Sequence, residues 1–161
     1  MAIELVRVDD RLIHGQVVTT WVKQKQIEQI LIINDHIRND DVQKSVFDLM
    51  APEGVIVRTF GVTEFSAIYK KTTIKRRTLL LLTTPIDALT LARETVKFDK
   101  LNLGGVKYSP ERKQYTKSVS LTQQEVASLE DLAKMGVMVS VQMVPSDKEI
   151  PVADFLKEGG K

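Results

Sequence analysis

The sequence contains no cysteine. That single absence removes disulfide staples, thiolate nucleophiles and zinc–thiolate centres together, and it fits a reducing, cytoplasmic setting. Histidine is almost as scarce, with only His14 and His36, so no metal site is expected. Long apolar runs are missing as well. The apolar run at residues 79–82 is far below the ~20 residues that a membrane-spanning helix needs. Residues 1–8 are too short and too charged for a signal peptide. Neither sign of charge dominates, with 23 Lys and Arg against 21 Asp and Glu. The basic clusters Lys70-Lys71 and Lys75-Arg76-Arg77 read as a solvated loop. A nucleic-acid surface across residues 70–77 is the weaker reading, and no nucleic-acid partner is expected.

Several nucleotide and phosphate motifs are absent too. There is no Gly-x-x-x-x-Gly-Lys-Ser/Thr loop, and no Gly-x-Gly-x-x-Gly follows the first strand. The pair Asp9-Asp10 resembles the acidic pair of a phosphorylation receiver. That reading also requires an aspartate closing the third strand, where the chain has Phe60-Gly61.

What is present is an ordinary globular balance: 161 residues, 43% hydrophobic and 27% charged. This predicts one domain over residues 1–161. Short branched or apolar runs at 3–8, 30–33, 54–60, 79–83, 101–103 and 137–144 read as strands, with 119–121 as a shorter one. Between them, 15–25, 40–50, 63–71, 85–92 and 122–134 read as helices. Val17, Val18 and Trp21 share a face of the first. Val42, Val46, Leu49 and Met50 are expected to point inward from the second. Thr63 reads as the cap of the third, Pro85 opens the fourth, and Thr122 with Glu125 forms a capping box on a helix that Gly136 ends. Residues 145–161 are polar and carry no clear element. Strands buried on both faces and alternating with helices predict a three-layer α/β/α fold around a mainly parallel sheet.

Ligands of such sheets bind beyond the carboxyl ends of the strands. The segment after the first strand is Asp9-Asp10-Arg11-Leu12-Ile13-His14-Gly15-Gln16. His14 falls at the start of a helix, where free backbone N–H groups favour an anion. Arg11 is near enough in sequence to add a guanidinium, a strong phosphate partner, and Gly15 is expected to let the backbone approach closely. Neutral imidazole has a lone pair that can accept a phosphoryl group. Asp9 or Asp10 could fix its tautomer through the other nitrogen. The basic stretch 107–117, with Lys107, Arg112, Lys113 and Lys117, is a candidate docking rim.

The run from Val8 to Val17, with Trp21 a turn later, resembles the active-site signature of the mannose-class IIB subunits of the phosphoenolpyruvate-dependent sugar phosphotransferase system (PTS). The similarity continues through Asn34-Asp35, Met50-Ala51-Pro52 and Leu101-Asn102-Leu103-Gly104-Gly105. The resemblance implies a phosphoryl carrier. His14 would accept phosphate from a phosphorylated histidine of a separate IIA subunit and donate it to a sugar entering through the membrane subunits IIC and IID. It assigns catalysis to His14 and Arg11, and loop or phosphate-binding roles to Asp10, Leu12, Ile13, Gly15 and Gln16. No cofactor or metal is implied, the location is the inner face of the membrane, and a homo-oligomer is open. His36, Arg38 and Val106 depart from the common pattern and bear on sugar or partner choice. The alternative is a non-catalytic regulatory or phosphate-ligand-binding module on the same fold.

Overall fold

The apolar runs at 30–33 and 79–82 form the centre of the sheet, and every residue of their two strands is buried. The computed structural model describes residues 2–159. The element order is β1 (Ile3–Asp9), α1 (Gly15–Lys25), β2 (Gln29–Ile33), α2 (Asp35–Arg38), α3 (Asp41–Leu49), β3 (Ile56–Phe60), α4 (Val62–Lys71), β4 (Thr78–Leu82), α5 (Pro85–Arg93) and β5 (Lys100–Gly105). It continues through β6 (Lys113–Gln114), β7 (Ser120–Leu121), α6 (Gln123–Lys134), β8 (Met138–Val141), β9 (Ile150–Pro151) and α7 (Ala153–Gly159).

The main sheet has the order β3-β2-β4-β1-β5-β8-β9. Its pairings are parallel except for the antiparallel β8–β9 edge. Alternation along each strand divides the core in two. Leu31, Ile33, Leu80 and Leu82 face Phe65 of α4, Leu91 of α5, and Leu129 and Leu132 of α6. Ile30, Ile32, Leu79 and Leu81 face Val18 of α1, Ile37 of α2 and the partly buried Phe47 of α3. The fold is therefore the three-layer α/β/α arrangement expected.

Local signals explain most boundaries. Pro85 occupies the first turn of α5. The capping box of α6 is reciprocal, with Glu125 N–H donating to Thr122 Oγ1 at 3.0 Å and Thr122 N–H donating to Glu125 Oε1 at 2.9 Å. α4 is capped by Gly61, two residues earlier than Thr63, because Glu64 reaches back to the Gly61 N–H at 3.0 Å. β3 starts at Ile56 because Gly54 belongs to a turn with φ +78°. The last parallel strand is shorter than expected, ending at Val141, and the polar tail after Pro145 supplies β9 and α7.

α3 overturns one expectation. Val42, Val46, Leu49 and Met50 point outward, with Leu49 87% exposed. The helix lies over the sheet edge formed by β2 and β3, and Phe47, on the opposite side of the helical wheel, packs with Val55 and Val57 against the core cluster of Ile30, Ile32 and Ile37. Periodicity identified an apolar stripe correctly but could not say which face the core would take.

Candidate active site at the end of the first strand

β1 lies between β4 and β5, with Val8 opposite both Leu82 and Leu103. Its carboxyl end therefore opens into the middle of the sheet. The chain leaves it in a tight loop. Asp10 N–H donates to Gly105 O at 3.0 Å and Leu12 N–H to Asp9 O at 2.9 Å. Leu12 adopts a left-handed φ of 58°, a costly conformation for a leucine. Its side chain and that of Ile13 are buried in the core under α1. These two anchors present His14 at the N-cap of α1, where its side chain makes no capping bond. Gly15 follows with φ +49° and no atom within 4 Å of where a Cβ would stand. That left-handed conformation is one glycine adopts readily. Gly15 and Gln16 are exposed, and their backbone sits where the helix has unpaired N–H groups.

The His14 ring is 21% exposed, and its Nε2 lies 2.9 Å from Asp9 Oδ2. Asp9 is fully buried. Its other oxygen accepts from the Arg11 backbone N–H at 3.0 Å and from Arg11 Nε at 3.4 Å. Between the two acidic candidates, Asp9 is thus the residue on the imidazole. Asp10 turns the other way: it accepts from Lys107 N–H at 2.7 Å and lies 3.8 Å from Arg112 Nη1. Arg112 is held in turn by Glu125, at 3.0 and 3.1 Å, and it donates to Lys107 O at 2.9 Å. Asp10 therefore orients the segment after β5, which forms one wall of a cavity of about 320 Å³ beside Arg11 and Lys107. Arg112, counted in the basic rim, is an internal strut rather than a free charge.

One residue of this site escaped the sequence reading, and a second was read only as part of a strand-closing motif. Arg7 is fully buried and donates from Nη2 to Asp9 Oδ2 at 3.2 Å. Its Nη1 donates to Asn102 Oδ1 and, at 3.0 Å, to Gln142 O. Burial pushes its guanidinium below the ordinary arginine value, against the upward pull of Asp9. The second is Gly104, where a Cβ would stand 2.0 Å from Arg7 Nη2. At Gly105 a Cβ would meet Arg11 Nη2 at 3.1 Å. The Gly-Gly pair leaves room for both arginines.

The other rim candidates are engaged elsewhere or free of the cluster. Arg38 donates to Glu64 at 2.9 and 3.3 Å, and His36 is exposed. Arg77, grouped with the solvated basic run, donates to Lys25 O at 2.8 Å at the end of α1 and pairs with Glu4 at 3.0 Å. In α5, burial beside Asp35 pushes the Asp87 carboxyl up to about 6.

An imidazole, a buried carboxylate on one of its nitrogens and a half-exposed arginine at a helix N-terminus are groups suited to phosphoryl-transfer chemistry. The family model described as the PTS system sorbose subfamily IIB component matches residues 3–161. The chain belongs to this IIB family. It is similar to the sorbose-specific EIIB component of Klebsiella pneumoniae, at 38% identity over 98% of this chain and 97% of that one. It is also similar to the fructose-specific EIIB component of Bacillus subtilis, at 33% identity over 98% and 97%. The mannose-specific EIIAB component of Escherichia coli is 30% identical over 98% of this chain but 49% of its own length. The crystal structure of the IIBSor domain of the K. pneumoniae sorbose permease superposes with a TM-score of 0.90, at 37% identity over 98% of both chains.

As a mannose-class IIB component, the chain is a sugar phosphotransferase that receives phosphoryl groups from IIA and passes them toward sugar. Membership of this family implies IIA and membrane subunits as partners, and in the E. coli relative IIA and IIB are one EIIAB component. Among the described residues, no helix is long and apolar enough to cross a membrane.

Proposed function

We propose that His14 is the residue that carries the phosphoryl group, and that the bond forms at Nδ1. The observation that carries this reading is the Asp9 Oδ2 to His14 Nε2 contact at 2.9 Å. A proton on Nε2 satisfies the carboxylate and leaves the lone pair on Nδ1. That nitrogen attacks phosphorus in the phosphohistidine of IIA. The new Nδ1–P bond forms as the donor N–P bond breaks, and the donor imidazole keeps the released electron pair. In the second half, a sugar hydroxyl attacks phosphorus, the Nδ1–P bond breaks, and the hydroxyl proton leaves to water. Arg11 and the free N–H groups at the start of α1 support the charge on the equatorial oxygens.

Leu12 and Ile13 serve as buried anchors of the loop, Gly15 and Gln16 as its phosphate-facing backbone, and Asp10 as the link to the segment after β5. The described residues act as one IIB unit at the cytoplasmic face of the membrane, docking first on IIA and then on IIC and IID. The segment 107–117 forms the docking rim, with Lys107, Lys113 and Lys117 on its exposed side. Self-association belongs to the same proposal, supported by the exposed Val42, Val46 and Leu49 row on α3.

The test is phosphorylation by phosphoenolpyruvate, the general phosphotransfer proteins and a cognate IIA, with mass-spectrometric mapping. An acid-labile phosphate on His14, lost in His14→Ala, is the expected result. A folded protein that stays unlabelled beside phosphorylated cognate IIA would instead point to a binding module.

A further inference from the structure

Asp9 creates a difficulty for His14 as well as an advantage. A carboxylate hydrogen-bonded to an imidazole stabilises the imidazolium form, and an imidazolium has no lone pair on Nδ1 with which to take a phosphoryl group. Asp9 is fully buried, so water does little to weaken this pull. Something must balance its charge.

Two guanidinium groups reach Asp9, and they differ in freedom. Arg11 touches Oδ1 at 3.4 Å with half its side chain exposed, so an incoming phosphoryl group can draw it away. Arg7 cannot leave. Its side chain is 0% exposed and bonded to Asn102 and to the Gln142 carbonyl. It also stacks 5.5 Å from the Trp21 ring and lies against the bare Cα of Gly104. Stability alone does not account for it. Arg7 Nε is buried with no partner, a costly state for a cation, and an apolar side chain in such a place is often as stable or more so.

We infer that Arg7 is a positioning residue whose fixed charge balances Asp9, so that Asp9 orients His14 without drawing a proton onto Nδ1. This rests on His14 as the phosphoryl acceptor. The two arginines then divide the work: Arg11 follows the phosphate, and Arg7 stays with the carboxylate while Arg11 is away. The other charged groups sit on the loop itself and on the elements next to it. β1 contributes Arg7 and Asp9, and the loop contributes Arg11 and Asp10, the latter occupied by the Lys107 N–H. The segment after β5 contributes Lys107 and Arg112, and Glu125 of α6 sits behind Arg112. α1 carries no acidic residue in its first turn, and the stretch after β8 offers the carbonyls of Gln142 and Met143.

The experiment is nitrogen-15 NMR of the His14 ring in unphosphorylated protein, with exposed His36 as an internal reference, alongside phosphoryl acceptance measured against pH. In Arg7→Met the ratio of imidazolium to neutral imidazole at a given pH should rise about tenfold for His14 and stay unchanged for His36. The acid limb of the rate profile should move up by about one pH unit, and Arg7→Lys should recover part of the change. A folded Arg7→Met with an unchanged ratio and a rate lowered equally at every pH overturns the inference. If Arg7→Met does not fold, Asn102→Asp decides in its place. It keeps the arginine but adds a second carboxylate that shares it, so the ratio for His14 should rise, and an unchanged ratio overturns the inference. Absence of phosphate on His14 in the parent would sink the acceptor assignment alone, because the NMR ratio is read without phosphorylation.

Discussion

Gly104 leaves the space that Arg7 fills: a Cβ at residue 104 would lie 2.0 Å from Arg7 Nη2 and 2.2 Å from Cζ. The guanidinium is buried and clamped on its other sides, so it has nowhere to retreat. Gly104→Ala is therefore expected to destabilise the chain by about 2–3 kcal/mol through overpacking and to slow phosphoryl acceptance. Urea denaturation beside a transfer assay checks both. A variant as stable as the parent would mean that Arg7 can move.

The two adjacent aspartates should separate sharply. Asp9→Asn loses the charge on the imidazole and offers an amide in either orientation, so phosphoryl acceptance is expected to fall ~100-fold or more. Asp10→Asn disturbs only the link to Lys107 and Arg112, and a loss of about tenfold or less is expected. Single-turnover labelling from phosphorylated IIA ranks them, and the reverse ranking would transfer the orienting role to Asp10.

Arg11→Ala should slow transfer ~100-fold, the usual scale for one preorganised charge-stabilising donor, with little change in folding because its side chain is half exposed. Thermal unfolding with the same labelling assay tests this. A rate equal to the parent's would remove Arg11 from the phosphate.

Asp87 gives a pH signature. Its carboxyl is raised from 3.8 to about 6 by burial, with Asp35 adding to the effect. The native state therefore keeps a proton that the unfolded chain releases near pH 4. The stability this group contributes is fully present below about pH 4, falls as pH rises through about 6, and stays lower above it. Discounted for partial exposure and for the favourable placement of an acid in the first turn of α5, the cost at pH 8 is about 1 kcal/mol. Asp87→Asn should be the more stable protein at pH 8, and the gap should close by pH 4. Denaturation at the two pH values reads it, and a constant gap would remove Asp87 as its source.

On α3, opposite sides should respond oppositely to truncation. Leu49→Ala is expected to change stability by less than about 0.5 kcal/mol, because Leu49 is 87% exposed. Phe47→Ala should cost about 2 kcal/mol or more. Paired denaturation curves of the isolated chain settle which side faces the sheet.

The sheet, the order of its helices and the histidine loop were all legible in the sequence, because each rests on a local signal. Apolar runs bounded by Asn34-Asp35 or Gly104-Gly105 mark strands, and Pro85, Thr122 and Gly136 mark helix ends. α3 was not legible in orientation, because helical spacing reports a stripe and only the sheet edge decides which side it buries. Arg7 was hidden for a different reason. A charged residue in a strand reads as solvent-facing, and its partners Asn102 and Gln142 lie 95 and 135 residues away. The choice between Asp9 and Asp10 likewise turned on one backbone bond, Asp10 N–H to Gly105 O, which sends the two side chains to different walls.

Trp21 is the single tryptophan of the chain. Its indole N–H donates to Met143 O at 2.8 Å, and its ring stacks on the guanidinium that touches Asp9. An indole so placed is an optical probe wired to the charge state of the histidine loop. Its emission should change when His14 gains or loses a phosphate. The turnover of the carrier can then be followed by fluorescence in real time, in unlabelled protein and without stopping the reaction.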